Sequence, residues 1–335
     1  MTWDFFSLNP ETLHQVLILM SDRGTPYGYR FMHGFGSHAY TLLNENNEVV
    51  YVKFHFKSQQ GIQNLSANEA LQLKATAPDF AQHDLISAID QGDFPKWSLK
   101  MQVMTEDQAK AQHFNPFDLT KTWSQKVFPL IEIGTLELNE NPKNYFAAVE
   151  QAAFSPSRIV DGVGFSPDKM LQGRILAYPD AQRYRLGTNY VQIPVNSCPF
   201  LVNNYQRDGQ MSVDQNGADL PNYFPNSFDE IKPDLAYLRP AAKLGSNVAD
   251  WFDRNAAGED DHYTQPGIFF REVLKDQEKL NLVENIVQSM SGISGKLSNE
   301  IINRQLCHFF RADVNLGLSI AKGLHFDVSD ELNHH

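Results

Sequence analysis

The 335 residues carry 40 acidic against 28 basic side chains, a net charge of -12, and 42% of them are hydrophobic. That length and apolar content fill one large or two ordinary globular domains. The negative charge excludes binding to nucleic acid or anionic lipid unless basic groups cluster, and no stretch of the sequence is a basic cluster.

Cys198 and Cys307 are the only cysteines. They are too few and too far apart for a disulfide framework, a metal knot or a redox pair, so two buried free thiols are expected. Met1-Thr2-Trp3-Asp4-Phe5-Phe6 shows no basic region, apolar run or cleavage site, and no stretch approaches a membrane span. A soluble, cytoplasmic protein is the expectation.

Leu13 to Met20, after Asn9-Pro10-Glu11, reads as a short helix that Ser21-Asp22-Arg23-Gly24-Thr25-Pro26 breaks. Residues 36–57 read as an antiparallel hairpin about Asn44-Glu45-Asn46-Asn47. Val50, Val52, Phe54 and Phe56 fall on one face, and Tyr51, Lys53, His55 and Lys57 on the other. Residues 66–92 read as helical up to Gly92, on Leu71, Leu73, Leu85, Ile86 and Ile89. Strands return at Trp97, Leu99, Met101 and Val103, and again from Leu130 to Leu138. Helices are thus inserted between strands of one antiparallel sheet or barrel.

Ser166-Pro167-Asp168 has the order of a helix start: a Ser cap, Pro at the first helical position and Asp in the first turn. The helix then aligns Leu171, Arg174, Tyr178, Ala181 and Arg185 on one face, with a phenol between two guanidiniums. Pro179 removes an amide donor beside that phenol and should kink the helix. On its own the stripe fits two arrangements: a half-buried tyrosine under an arginine, or a metal-bound phenolate whose charged form Arg174 favours.

Residues 186–262 are rich in Pro, Asn, Asp and Gly and have no sustained period. Tyr190, Tyr205, Tyr223, Phe224, Phe228 and Trp251 are candidate anchors for a segment that gains order by wrapping another surface. Leu280, Val283, Val287 and Met290, then Ile301, Ile302, Gln305, Leu306 and Phe309, recur at helical spacing and predict a C-terminal bundle.

Arg174-Ile175-Leu176-Ala177-Tyr178-Pro179-Asp180-Ala181-Gln182, with Arg185 following, resembles the proximal haem-ligand motif of catalases, in which a tyrosine binds the iron. Further segments resemble the same family in the same order. Among them are Met20-Ser21-Asp22-Arg23-Gly24, Gly34-Phe35-Gly36-Ser37-His38, Asn115-Pro116-Phe117-Asp118-Leu119-Thr120-Lys121, Ile193-Pro194-Val195-Asn196 and Asn204-Tyr205-Gln206-Arg207-Asp208-Gly209. The resemblance covers nearly the whole chain.

It implies an α+β protein: a partial antiparallel β-barrel with helical insertions over 1–150, a proximal haem helix and long wrapping segment over 151–262, and a C-terminal helical bundle over 263–335. It makes Tyr178 the ligand of haem b, Arg174 the partner of the phenolate, His38 and Asp168 the groups behind Arg174, and Arg185 a clamp on a haem propionate. His14, Ser21, Arg23, His33, Lys57 and Trp123 stand where many relatives bind NADPH. The chain departs from those relatives in reading Trp123-Ser124-Gln125 for Trp-Pro-His and in having His33 where an amide is common. Leu176 for a phenylalanine and Asp161 for a proline are further departures.

The implied reaction is disproportionation of hydrogen peroxide to water and dioxygen by a homotetramer, with no nucleic acid or membrane partner. Relatives take their distal histidine and asparagine from Val-His-Ala-(Arg/Lys)-Gly and Asn-Asn-Thr-Pro segments, and neither occurs in these residues. The resemblance is therefore to the C-terminal two-thirds of the family. A fragment, one part of a split assembly and a naturally shortened relative all fit. The alternatives to a peroxide-disproportionating enzyme are a truncated, non-catalytic haem-binding or interaction subunit and a catalase-like enzyme of fatty-acid hydroperoxides.

Overall fold

The computed structural model describes residues 1–46, 48–200, 208–212, 218–228 and 261–326. The chain starts with helix α1 (Thr2–Leu8), which the sequence pattern does not announce, and α2 (Leu13–Met20). A seven-residue helix is marginal by itself. α1 is held by burial of Trp3, which meets Phe309 edge-on and whose indole N–H donates to Ser289 Oγ at 3.0 Å.

Among the described residues six antiparallel strands follow: β1 (Gly34–Phe35), β2 (Tyr40–Leu43), β3 (Val49–Ser58), β4 (Lys96–Thr105), β5 (Ile131–Glu137) and β6 (Val163–Phe165). They run β5-β4-β3-β2-β6, with β1 also on β3. Among the described residues the sheet is not closed, and β5 and β6 are its edges. At the β2–β3 turn the Asn44 side chain accepts from the backbone N–H groups of Asn46 and Glu48, the turn chemistry expected of that segment.

The helical reading of 66–92 resolves into two helices, α3 (Ala67–Thr76) and α4 (Phe80–Asp90). Pro78 is the cause: it drives Ala77 out of the helical region, to φ -146 and ψ 71. On β3 both faces are covered: Tyr51, Lys53 and His55 are buried on one, and on the other Val52 is fully buried while Val50, Phe54 and Phe56 are half-buried. The chain beyond α5 (Glu106–Lys110) folds back over the polar face, packing Phe117, Trp123 and Phe128 against Tyr51 and Met104. The Gln102 amide fixes that cover by donating to the carbonyls of Trp123 and Phe128.

α6 (Lys169–Leu186) begins later than the Ser166 cap predicts. Asp168 is the cap, accepting from the Leu171 N–H at 3.0 Å, while the Ser166 hydroxyl instead donates to the carbonyl of Ala39. The helix continues through Pro179. At the C-terminal end, α7 (Thr264–Ile268), a π-helical turn over Phe269–Val273, α8 (Asp276–Met290), α9 (Ser298–Ala312) and α10 (Val314–Gly323) pack with α1 and α2 into the largest apolar core. The buried seam of α8 is Leu282, Ile286 and Met290, so Leu280, taken as part of that stripe, faces outward instead.

Cys198 and Cys307 are free, as expected, but both are exposed rather than buried. Of the wrapping-segment anchors, Tyr190 is buried, Tyr223, Phe224 and Phe228 are exposed, and Tyr205 and Trp251 lie outside the described residues. No helix of the described residues is long and apolar enough to cross a membrane.

Candidate functional site

α6 and the turn before β2 bring four of the sequence-nominated residues into one hydrogen-bonded line. Arg174 Nη2 donates to the Tyr178 phenol oxygen at 2.6 Å, and its guanidinium carbon lies 4.8 Å from the centre of the same ring. Arg174 Nη1 meets His38 Nε2 at 2.6 Å, and His38 Nδ1 meets Asp168 Oδ2 at 2.7 Å. An arginine can only donate, so His38 Nε2 accepts, and its Nδ1–H donates to the carboxylate.

Helix periodicity gives the first step, since residues four apart share a face. The second needs the sheet. His38 and Asp168, both almost fully buried, are 130 positions apart, and the Ser166 bond to Ala39 fastens the start of α6 beside His38. Tyr40 flanks the line. Burial pushes its phenol up, Arg174 pulls it down and Asp168 raises it again.

Arg185 does not stand free at the end of the stripe. Its Nη1 donates to the Glu150 carbonyl at 2.7 Å, its Nη2 to the Ala152 carbonyl at 2.9 Å and its Nε to Gln182 Oε1 at 2.8 Å. It therefore ties the 150–152 turn to α6.

A second group of nominated residues gathers around β3 and the end of α2. The Arg23 guanidinium lies 5.4 Å from the centre of the Phe269 ring, which the His14 ring also touches, and Lys57 Nζ lies 4.5 Å from that of Phe35. Burial pushes the His14 imidazole down to about 4, with Lys121 adding to the effect. Burial likewise takes His33 down to about 4, helped by Lys57 and Arg23. Lys57 is itself lowered by burial, then by Arg23 and Lys100. The fold thus lets the charges of Arg23 and Lys57 act on His33, a grouping that the linear sequence does not show. Ser21 ends α2, accepting from the Arg23 N–H and donating to the Ile18 carbonyl. Trp123 is buried and donates to the Pro116 carbonyl at 2.9 Å.

Lys53, His55 and Gln102 were not nominated. Lys53 is buried with its Nζ 5.0 Å from the centre of the Trp123 ring, and burial pushes its ammonium down to about 8 against the pull of Asp168 and Asp118. His55 Nε2 bonds Gln102 Oε1 at 2.9 Å, while its Nδ1 is buried without a partner among the described residues. The signal was present in the strand pattern, but polar residues alternating with apolar ones are ordinarily the solvent face.

The chain matches the family model described as Catalase over residues 1–230 and that described as catalase-related immune-responsive over residues 256–324. It is 54% identical over 325 residues to a catalase of the Onchocerca volvulus endobacterium, covering 97% of this chain and 66% of that protein. It is 52% identical over 328 residues to catalase A of Pseudomonas putida, covering 98% and 67%. Among solved structures it resembles catalase A from Saccharomyces cerevisiae with a TM-score of 0.84 at 39% identity, covering 96% of this chain and 66% of that one. The chain therefore spans about two thirds of the length of these relatives.

Proposed function

This chain belongs to the catalase family, and on that premise we propose that it is a haem protein whose reaction is the disproportionation of hydrogen peroxide to water and dioxygen. The observation that carries the reading is the hydrogen-bonded line Tyr178–Arg174–His38–Asp168.

The donor set fits haem iron. A tyrosine oxygen that receives a charge-assisted bond from a guanidinium is a suitable hard oxygen donor for ferric iron. Tyr178 would hold the metal of haem b, Arg174 would favour the charged phenolate, and His38 and Asp168 would keep the guanidinium plane aimed at the oxygen. Bound haem supplies the redox-active iron through which the electrons of the peroxide are exchanged. No residue of this chain is assigned the distal proton transfer, so the 335 residues alone should evolve oxygen well below the rate of complete relatives.

Arg185 turns to carbonyls here, and its clamping of a propionate requires that it exchange one of those partners. The charges of Arg23 and Lys57, both of which act on His33, support NADPH as a second ligand, since a guanidinium and an ammonium suit a phosphate. Assembly as a homotetramer in the cytoplasm completes the proposal.

The test is spectroscopic. The chain loaded with haem should show a high-spin ferric tyrosinate spectrum, and Tyr178→Phe should abolish it. An unchanged spectrum in that variant refutes the ligand assignment.

A further inference from the structure

β1 and β2 both pair with β3, and their registers disagree. Phe35 stands opposite His55 and Tyr40 opposite Val52, so five steps along one strand answer three along the other. Two extra residues are therefore bulged out of the ladder over 36–39. Had the register of β1 continued, His38 would stand opposite Val52. The bulge gives that place to Tyr40 and releases His38 from the ladder.

The surplus is taken up in a tight turn. The His38 N–H donates to the Gly36 carbonyl at 2.7 Å, across Ser37, whose φ is 61°. A three-residue turn with a positive φ at its centre is strained, and a serine stays in it only where the surroundings hold it there. Contacts on either side do so. The Gly36 N–H donates to the Phe54 carbonyl at 2.8 Å, an approach so close that a Cβ at position 36 would lie 3.1 Å from that oxygen. Beyond the turn, the Ala39 carbonyl accepts from the Ser166 hydroxyl at the start of α6. The Ser37 side chain is exposed, and its hydroxyl has no partner among the described residues, so what position 37 contributes is its backbone. His38 leaves the turn buried, with Nδ1 2.7 Å from Asp168 Oδ2 and Nε2 2.6 Å from Arg174 Nη1.

We propose that Ser37 is a positioning residue for the Tyr178 line: its left-handed backbone turns His38 out of the sheet and onto Arg174 and Asp168. The proposal rests on the reading of that line as the haem-binding site, and it adds a residue whose side chain belongs to none of the line's bonds.

The test on the full chain compares Ser37→Gly, which adopts a positive φ freely, with Ser37→Val, whose branched side chain disfavours it. Without haem, the His38 Nδ1 proton held by Asp168 is followed by 1H–15N NMR of histidine-labelled protein. The His55 Nε2 proton, donated to Gln102 on the same sheet, is the internal reference. Ser37→Gly should keep both resonances, and Ser37→Val should lose that of His38 alone. A His38 proton lost in Ser37→Gly, or retained in Ser37→Val, overturns the proposal. Loss of both protons in Ser37→Val makes the turn a support of the whole sheet and overturns it equally. With haem, Ser37→Val should shift the tyrosinate band and Ser37→Gly should not. A band that is lost in Tyr178→Phe but indifferent to Ser37→Val overturns this proposal alone. A band that survives Tyr178→Phe overturns the ligand reading, while the His38 proton still decides whether Ser37 sets the line.

Discussion

Replacing Asp168 by alanine should be among the most damaging single changes outside the apolar core, and its cost can be worked from the bonds the carboxylate makes. One oxygen caps α6 through the Leu171 N–H at 3.0 Å, and loss of such a cap costs about 1 kcal/mol. The other accepts from His38 Nδ1 at 2.7 Å in a site sealed from water, and a buried donor stripped of its partner costs about 1–3 kcal/mol. The expected loss is therefore about 2–4 kcal/mol.

Asp168→Asn keeps a capping oxygen of equal quality and should lose less than the alanine variant. Equilibrium urea unfolding followed by tryptophan fluorescence reads the difference, because Trp97 and Trp123 are buried on and beneath the same sheet. An alanine variant within about 0.5 kcal/mol of the parent would mean that these two bonds do not support the structure as argued.

Other outcomes are open to direct measurement. The His14 imidazole, lowered by burial from 6.5 to about 4, takes up its proton in the unfolded chain before the folded one, so its contribution is intact above pH 6.5 and is lost as pH falls toward 4. That loss amounts to about 3 kcal/mol, and His14→Gln should flatten the acid limb of a stability profile; an unchanged limb would contradict the assignment. Phe309→Ala removes a ring with no exposed surface from the centre of the C-terminal core and should cost about 3–5 kcal/mol in the same unfolding assay. Ellman's reagent should titrate both thiols of the folded chain, because Cys198 and Cys307 are exposed; protection of either until denaturant is added would overturn their placement.

Much of the local structure could be read in the sequence. The spacing of Arg174 and Tyr178 is enough to put guanidinium and phenol on one helix face, and the Asn-rich turn between alternating strands is enough to fold β2 onto β3, because both depend on backbone geometry within a few residues. The periodicity of Ile301 to Phe309 likewise gives the buried side of α9. The start of α6 was legible only to within two residues, since both Ser166 and Asp168 are good caps. The choice between them depends on Ala39, whose carbonyl takes the Ser166 hydroxyl.

What the tertiary structure alone decided is which polar groups lose their water. Lys53 and His55 alternate with apolar neighbours as surface residues do, and they are buried because a chain segment some 60–75 positions later lays Phe117, Trp123 and Phe128 across that face. The meeting of Arg23 and Lys57 with His33 has the same origin, in contacts between parts of the chain that no local pattern connects. The sequence by itself determined the helix that carries Arg174 and Tyr178 and the first step of the Tyr178 line. Only the closing of the sheet against α6 gave that line its His38–Asp168 end, because a bond spanning 130 residues is set by packing rather than by spacing.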